Sequence, residues 1–211
     1  MFKNIIIGFV LCFATVLFAQ EAVVISRNNI PTEKDIVDLL IEKNQQFLLT
    51  KEGNILEITD RQITIGPKSQ SKEFYERKIK GVLPQNFDIN RYKYLTKGNG
   101  IYYGCIFDWS YSSRIVKIDP TTGKEDFFCY LKGIPSGMFF IDGKLWYLSN
   151  RNELESKSIL RSYDESNVTI LLEIDIPILN AKGLSIDDEG NFISYENQSN
   201  SLIQFRIKEG D

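Results

Sequence analysis

Phe139-Phe140-Ile141-Asp142-Gly143-Lys144-Leu145-Trp146-Tyr147-Leu148 reads as an apolar strand, a tight polar turn and a second apolar strand. Asp-Gly between two apolar runs is a strong hairpin signal, because both turn positions need positive φ and these residues tolerate it. The pattern returns in Leu184-Ser185-Ile186-Asp187-Asp188-Glu189-Gly190-Asn191-Phe192-Ile193-Ser194-Tyr195. Gly137 and Gly183 precede the two units and stand 46 residues apart. Short strands recurring every ~40–50 residues are the mark of propeller blades. The fold class expected is all-β, a β-propeller-like ring of about four blades.

Working outward, blade-like units span about 36–66, 87–131, 137–175 and 183–208, within one domain covering 20–211. In the first unit, Phe47 to Thr50 and Ile55 to Thr59 flank Lys51-Glu52-Gly53-Asn54. The preceding stretch, Asp35 to Lys43, is compatible with a helix capped by Thr32 or with the first strand of a blade. Gly66 to Phe87 is the longest connection, with a short helix expected near Lys72 to Ile79. In the second unit, Asp119-Pro120-Thr121-Thr122-Gly123-Lys124 has proline and glycine placed for chain reversal. The fourth unit shows three strands, while Ala22 to Ser26 is an orphan strand at the other end of the chain. Joining the two would close the ring and leave no open sheet edge. The alternatives are a ring completed by dimerisation or another stack of open sheets.

Residues 1–19 have the form of a secretory signal: Lys3 near the start, an apolar run from Ile5 to Phe18, and Ala19 where a peptidase would cut. An uncleaved anchor is the competing reading, but the run is short of the ~20 residues a span needs. No second long apolar stretch follows, so no membrane span is expected in 20–211. The mature chain is expected to be exported, periplasmic or secreted. Net charge is −3 with both signs dispersed, which argues against a nucleic-acid partner.

Histidine is absent. That removes His-dependent nucleophile triads, His-zinc sites and the commonest general acid–base. Beyond Cys12 in the apolar run, Cys105 and Cys129 remain. The blade assignment puts them on the second and fourth strands of one sheet, about 9–10 Å apart at ~4.8 Å per strand. A disulfide needs Cα atoms within ~7 Å, so two buried thiols are expected.

Gly183-Leu184-Ser185-Ile186-Asp187-Asp188-Glu189-Gly190-Asn191-Phe192 resembles the blade opening of exported NHL-repeat and gluconolactonase (regucalcin-like) propellers. Ile115-Val116-Lys117-Ile118-Asp119-Pro120-Thr121-Thr122-Gly123-Lys124 resembles their third-to-fourth-strand turn. The resemblance covers roughly 92–207. It implies blade architecture and, as an alternative function, a metal-dependent lactonase or hydrolase. In that family an Asn and an Asp just before blade-opening glycines hold a divalent metal. The matching positions here are Ser136 and Lys182. Serine is a poor substitute, and lysine is a cation with no acceptor, so no metal ligand is assigned.

The loops between second and third strands share one end of the ring with the inter-blade connections. They are polar and longer than the opposite turns, and function concentrates on such loops. The ligand-binding candidates are Asp108, Trp109 and Tyr111 on the first of these loops, Asn150, Arg151 and Glu153 on the second, and Glu196 and Asn197 on the third. Trp and Tyr are the side chains enriched at binding hot spots. Carboxylates at this end could hold Ca²⁺, although solvated loop charge is the simpler reading and no cofactor is expected. Asp187 to Asn191 resembles a fragment of a calcium loop but lacks its terminal Glu, so a plain turn is expected. The reading is an exported, non-enzymatic recognition module for a protein, peptide or glycan.

Overall fold

The structure is a computed structural model that describes residues 20–43, 45–59, 62–85, 87–107, 113–150, 157–166 and 168–208. Sixteen strands among them form four antiparallel sheets of four. Blade 1 is β2 (Ile36–Glu42), β3 (Gln45–Thr50), β4 (Ile55–Ile58) and β5 (Ile63–Ile65). Blade 2 is β6 (Tyr94–Gly98), β7 (Ile101–Phe107), β8 (Ser113–Ile118) and β9 (Glu125–Leu131). Blade 3 is β10 (Ile134–Ile141), β11 (Lys144–Asn150), β12 (Lys157–Asp164) and β13 (Ile170–Leu179). Blade 4 is β14 (Ala181–Ile186), β15 (Phe192–Glu196) and β16 (Ser201–Lys208), completed by β1 (Glu21–Asn29). This is a four-bladed β-propeller, and the N-terminal strand closes it. β1 runs antiparallel to β16, with Ala22 opposite Ile207 and Asn28 opposite Leu202.

The outermost strand of each blade is its most exposed. β15 is buried throughout and β10 nearly so, because each blade is covered on both faces by its neighbours. The outermost strand β13 alternates instead: Ile174, Ile176 and Ile178 face the core, while Glu173, Asp175 and Pro177 face solvent. Pro177 falls where the β12–β13 register skips, an edge position where a missing N–H costs no ladder bond. Asp35 to Lys43 is strand rather than helix. Its apolar residues Ile36, Leu39 and Leu40 are all buried, and Leu39 and Leu40 pair with Leu48 and Phe47. Tertiary pairing outweighs the helical spacing here.

The inner strands approach one another closely. A Cβ built on Gly137 (β10) would lie 2.5 Å from the carbonyl carbon of Gly183 (β14), and one on Gly183 would lie 2.5 Å from the Leu39 nitrogen (β2). Only residues without side chains allow three strands to meet this tightly. The Phe140 ring of blade 3 lies on Gly98 of blade 2, and the fourth seam, between blades 1 and 2, is filled differently. The long connection forms α1 (Ser71–Lys78), which buries Phe74, Tyr75 and Lys78. Phe74, Tyr75, Ile79 and Leu83 share one apolar cluster with Phe47 and Leu49 of blade 1 and with Leu95 and Tyr102 of blade 2. The helix is therefore a wedge that takes the place of direct contact between those blades.

Candidate functional site

The ring has two unlike ends. At one end lie two-residue turns, Asn99-Gly100 and Asp142-Gly143, with positive φ at all four positions. The Asp187 turn lies at the same end. Its Oδ1 accepts from the backbone N–H of Glu189 (2.9 Å) and Asn191 (2.8 Å), and its Oδ2 accepts from Gln204 (2.6 Å). That carboxylate is saturated by its own turn and by β16, which makes the stretch a structural turn. No group of three or more His, Cys, Asp or Glu able to hold a metal stands among the described residues.

At the other end lie the inter-blade connections and the loops between second and third strands. Asp108, Trp109, Tyr111, Arg151 and Glu153 fall outside the described residues. The strand ends that carry their loops are defined. Phe107 pairs with Ser113, and Asn150 pairs with Ser158. The other three candidates are described: Glu196 and Asn197 bond directly to a neighbouring blade, and Asn150 is linked to one through Ser158. Asn150 is buried at the end of β11, where its Oδ1 accepts from the Ser158 hydroxyl at 2.8 Å. The same Ser158 oxygen accepts from the backbone N–H of Ala181 (2.9 Å), the first residue of the next blade. Asn197 repeats the device one blade on. Its Oδ1 accepts from the Ile36 N–H (3.3 Å), and its Nδ2 donates to the Ile36 carbonyl (3.2 Å), at the first residue of β2.

Glu196 is the most heavily bonded of the set. Its Oε1 accepts from the Leu179 N–H at 2.9 Å, and its Oε2 accepts from Arg27 of β1 and from the Ser199 hydroxyl. Burial pushes this carboxyl up. The hydrogen bonds from Ser199, Leu179 and Arg27 outweigh it and hold the group below the usual carboxylate range. One side chain thus ties blade 3 to blade 4 and to the closing strand. Asn150, Glu196 and Asn197 thus lie at strand ends on the loop end of the ring, each held by hydrogen bonds of its own.

Sequence reasoning missed a buried charge pair. Asp38 on β2 and Lys78 on α1 are both fully buried, with Lys78 Nζ 2.7 Å from each carboxylate oxygen. The Leu39 N–H adds a bond to Asp38 at 2.9 Å. Burial raises the Asp38 carboxyl and lowers the Lys78 ammonium, each opposed by the attraction of the other. The available signals were a lone acid inside Ile36-Val37-Asp38-Leu39-Leu40-Ile41 and a lysine four residues after Phe74 on one helical face. This pair pins the wedge helix to the inner strand of blade 1.

The metal-ligand positions suggested by the lactonase resemblance are also defined. Ser136 is fully buried on β10, and its hydroxyl has no hydrogen-bond partner among the described residues. Lys182 is half-buried on β14. Neither a serine hydroxyl nor a lysine ammonium is an anionic ligand for a divalent cation.

No family model matches the chain, and no curated protein does. Among solved structures, it is similar to a glutaminyl cyclase of Myxococcus xanthus at 12% identity, covering 91% of this chain and 98% of that one, with a TM-score of 0.45. It is similar to BamB of Moraxella catarrhalis at 9% identity, covering 84% of this chain but 46% of BamB, with a TM-score of 0.41. The computationally designed Ika4 protein matches at 12% identity, over 87% of this chain and 96% of that one, with a TM-score of 0.37. Identities this low attach no activity or partner to the chain.

Proposed function

We propose that this propeller is an exported recognition module that binds a protein, peptide or glycan through its loop end. The observation that carries the reading is the contrast, within blades 2 and 3, between the turns that join first to second strands and the loops that join second to third. Asn99-Gly100 and Asp142-Gly143 close their hairpins with two residues, the minimum. The strand ends Phe107/Ser113 and Asn150/Lys157 are instead bridged by 108–112 and 151–156. Those insertions carry Trp109, Tyr111, Arg151 and Glu153, and the blades already have their full set of strands without them. Asn150, Glu196 and Asn197 supply a rigid base, which lowers the ordering cost that binding by a loop incurs. The lactonase alternative gains nothing from Ser136 and Lys182. Export follows from the signal-like residues 1–19, and fractionation of cells expressing the full chain checks it.

Glycan and peptide arrays probed with the mature domain test the reading. Trp109→Ala and Tyr111→Ala should each weaken binding to a hit by ~1–3 kcal/mol with melting unchanged, as anchor aromatics do. If both variants instead lose ~3–5 kcal/mol of stability, as large core truncations do, the aromatics are packed caps and this site is not a recognition surface.

A further inference from the structure

The short-turn end also holds a cleft, of about 350 Å³, where the wedge helix meets blades 2 and 3. Its walls are Ile79 and Lys80 at the end of α1, Thr96 and Lys97 on β6, and Phe139 and Phe140 on β10. The Phe140 ring is pressed on the backbone of Gly98, where a Cβ would lie 2.1 Å from a ring carbon, so this wall is fixed. Lys78 contributes to the floor, but its charge is cancelled by Asp38.

Lys80 and Lys97 are not cancelled. Both are exposed, and neither has a carboxylate partner among the described residues. Lys97 lies over the Tyr102 ring, 5.9 Å from its centroid, which orients the amine without neutralising it. Lys80 has φ +47. It follows the helix at a position that favours glycine or asparagine, and its N–H donates to the Arg77 carbonyl at 3.0 Å. A lysine is thus held in a left-handed conformation at the cleft mouth. Two ammonium groups with no ion-pair partner among the described residues flank an apolar wall, in a chain whose net charge is −3.

We infer that this cleft binds a small organic anion, with a carboxylate or phosphate meeting Lys80 and Lys97 and an apolar body lying on Phe139 and Phe140. Ligand pockets run from roughly 300 to 1,000 Å³, so a cleft of this volume suits a compact ligand rather than a chain. The site lies at the end of the ring opposite the proposed recognition loops and stands or falls independently of them.

Titration of the isotope-labelled domain with phenyl phosphate, benzoate, benzyl alcohol and inorganic phosphate, followed through backbone amide shifts, tests the inference. Phenyl phosphate and benzoate should give saturable shifts at Thr96 to Gly98 and at Phe139 and Phe140, weakening as salt is raised. Benzyl alcohol and inorganic phosphate should each bind at least roughly tenfold more weakly, since each offers half of the complementarity. The double variant Lys80→Gln/Lys97→Gln should melt as the parent does and lose at least roughly tenfold in affinity for phenyl phosphate. No saturable shift at these amides, equal affinity for benzyl alcohol or for inorganic phosphate, or undiminished binding by the double variant would each overturn it.

Discussion

Gly137 and Gly183 touch across the seam between blades 3 and 4: a Cβ on the first would lie 2.5 Å from the carbonyl carbon of the second. The same two residues open the repeating units in the sequence, so the marker of the repeat is also the contact that lets two blades converge. Gly183 carries the contact onward to Leu39 of blade 1, and it does so at φ +67. With only four blades, the inner strands have little room around the axis. Three seams close by backbone or ring contact, and the fourth closes through a helix.

Alanine at these glycines should therefore be costly. Gly137→Ala forces a methyl into the β14 backbone, an overpacking cost of ~1–3 kcal/mol. Gly183→Ala adds the left-handed strain of an L-residue, ~1–2 kcal/mol more. Urea unfolding should show lower midpoints with little change in slope, and Gly183→Ala should be the worse. Midpoints within error of the parent would mean that the strands do not meet here.

The Asp38–Lys78 pair should behave as a buried pair does when one member is removed. Lys78→Met leaves a carboxylate with no counter-charge in the core and should cost ~3–5 kcal/mol. Adding Asp38→Asn to that variant removes the uncompensated charge and should recover part of the loss. If the double variant is no more stable than Lys78→Met, the cost lies in packing of the wedge helix rather than in the charge. Unfolding curves of the three proteins decide it.

Cys105 and Cys129 should stay reduced even under oxidising conditions. The register runs Cys105–Ile115–Cys129 across β7, β8 and β9, so a whole strand separates the thiols. Both are free and buried, and burial pushes each thiol up to about 12. The native protein should resist alkylation at pH 8, and both thiols should be recovered after denaturation without reductant. Recovery of neither, with a monomeric mass, would contradict this register.

Glu196 should make the domain acid-sensitive. Its carboxyl is lower in the folded state than the ordinary 4.5. A depressed carboxylate adds stability that is fully present above the unfolded value and is lost as pH falls through the folded one. Thermal melts from pH 7 downward should thus show a decline below about pH 4.5 that is shallower in Glu196→Gln. The variant should also be less stable at neutral pH, where the Arg27 and Leu179 bonds weaken. Parallel pH profiles for the two proteins would remove this carboxylate from the account.

Much of the blade architecture was legible because the signals are local. Alternation has period two, and the turns at Asp142-Gly143 and Asp119 to Lys124 need only the φ preferences of a few neighbouring residues. The closing strand was legible for the same reason: Ala22 to Ser26 reads as strand by itself, and the fourth unit visibly lacks one. Asp35 to Lys43 was ambiguous because Ile36, Leu39 and Leu40 suit a helical face as well as a strand buried on both sides. Only the partner strand β3 resolves that.

The candidate site was less legible, and the reason is sequence distance. Asn150, Glu196 and Asn197 were recognisable as polar loop residues, yet nothing local says that Asn197 would reach Ile36 or that Glu196 would join Arg27. Those contacts exist because ring closure brings the two ends of the chain together. The sequence by itself determined strand, turn and repeat, since these rest on backbone preferences and on which faces are apolar. The tertiary structure alone decided that α1 would fill the fourth seam, that Asp38 and Lys78 would be buried as a pair, and that Lys80 and Lys97 would flank a wall of Phe139 and Phe140. Each of these depends on which surfaces remain to be covered once the blades have packed.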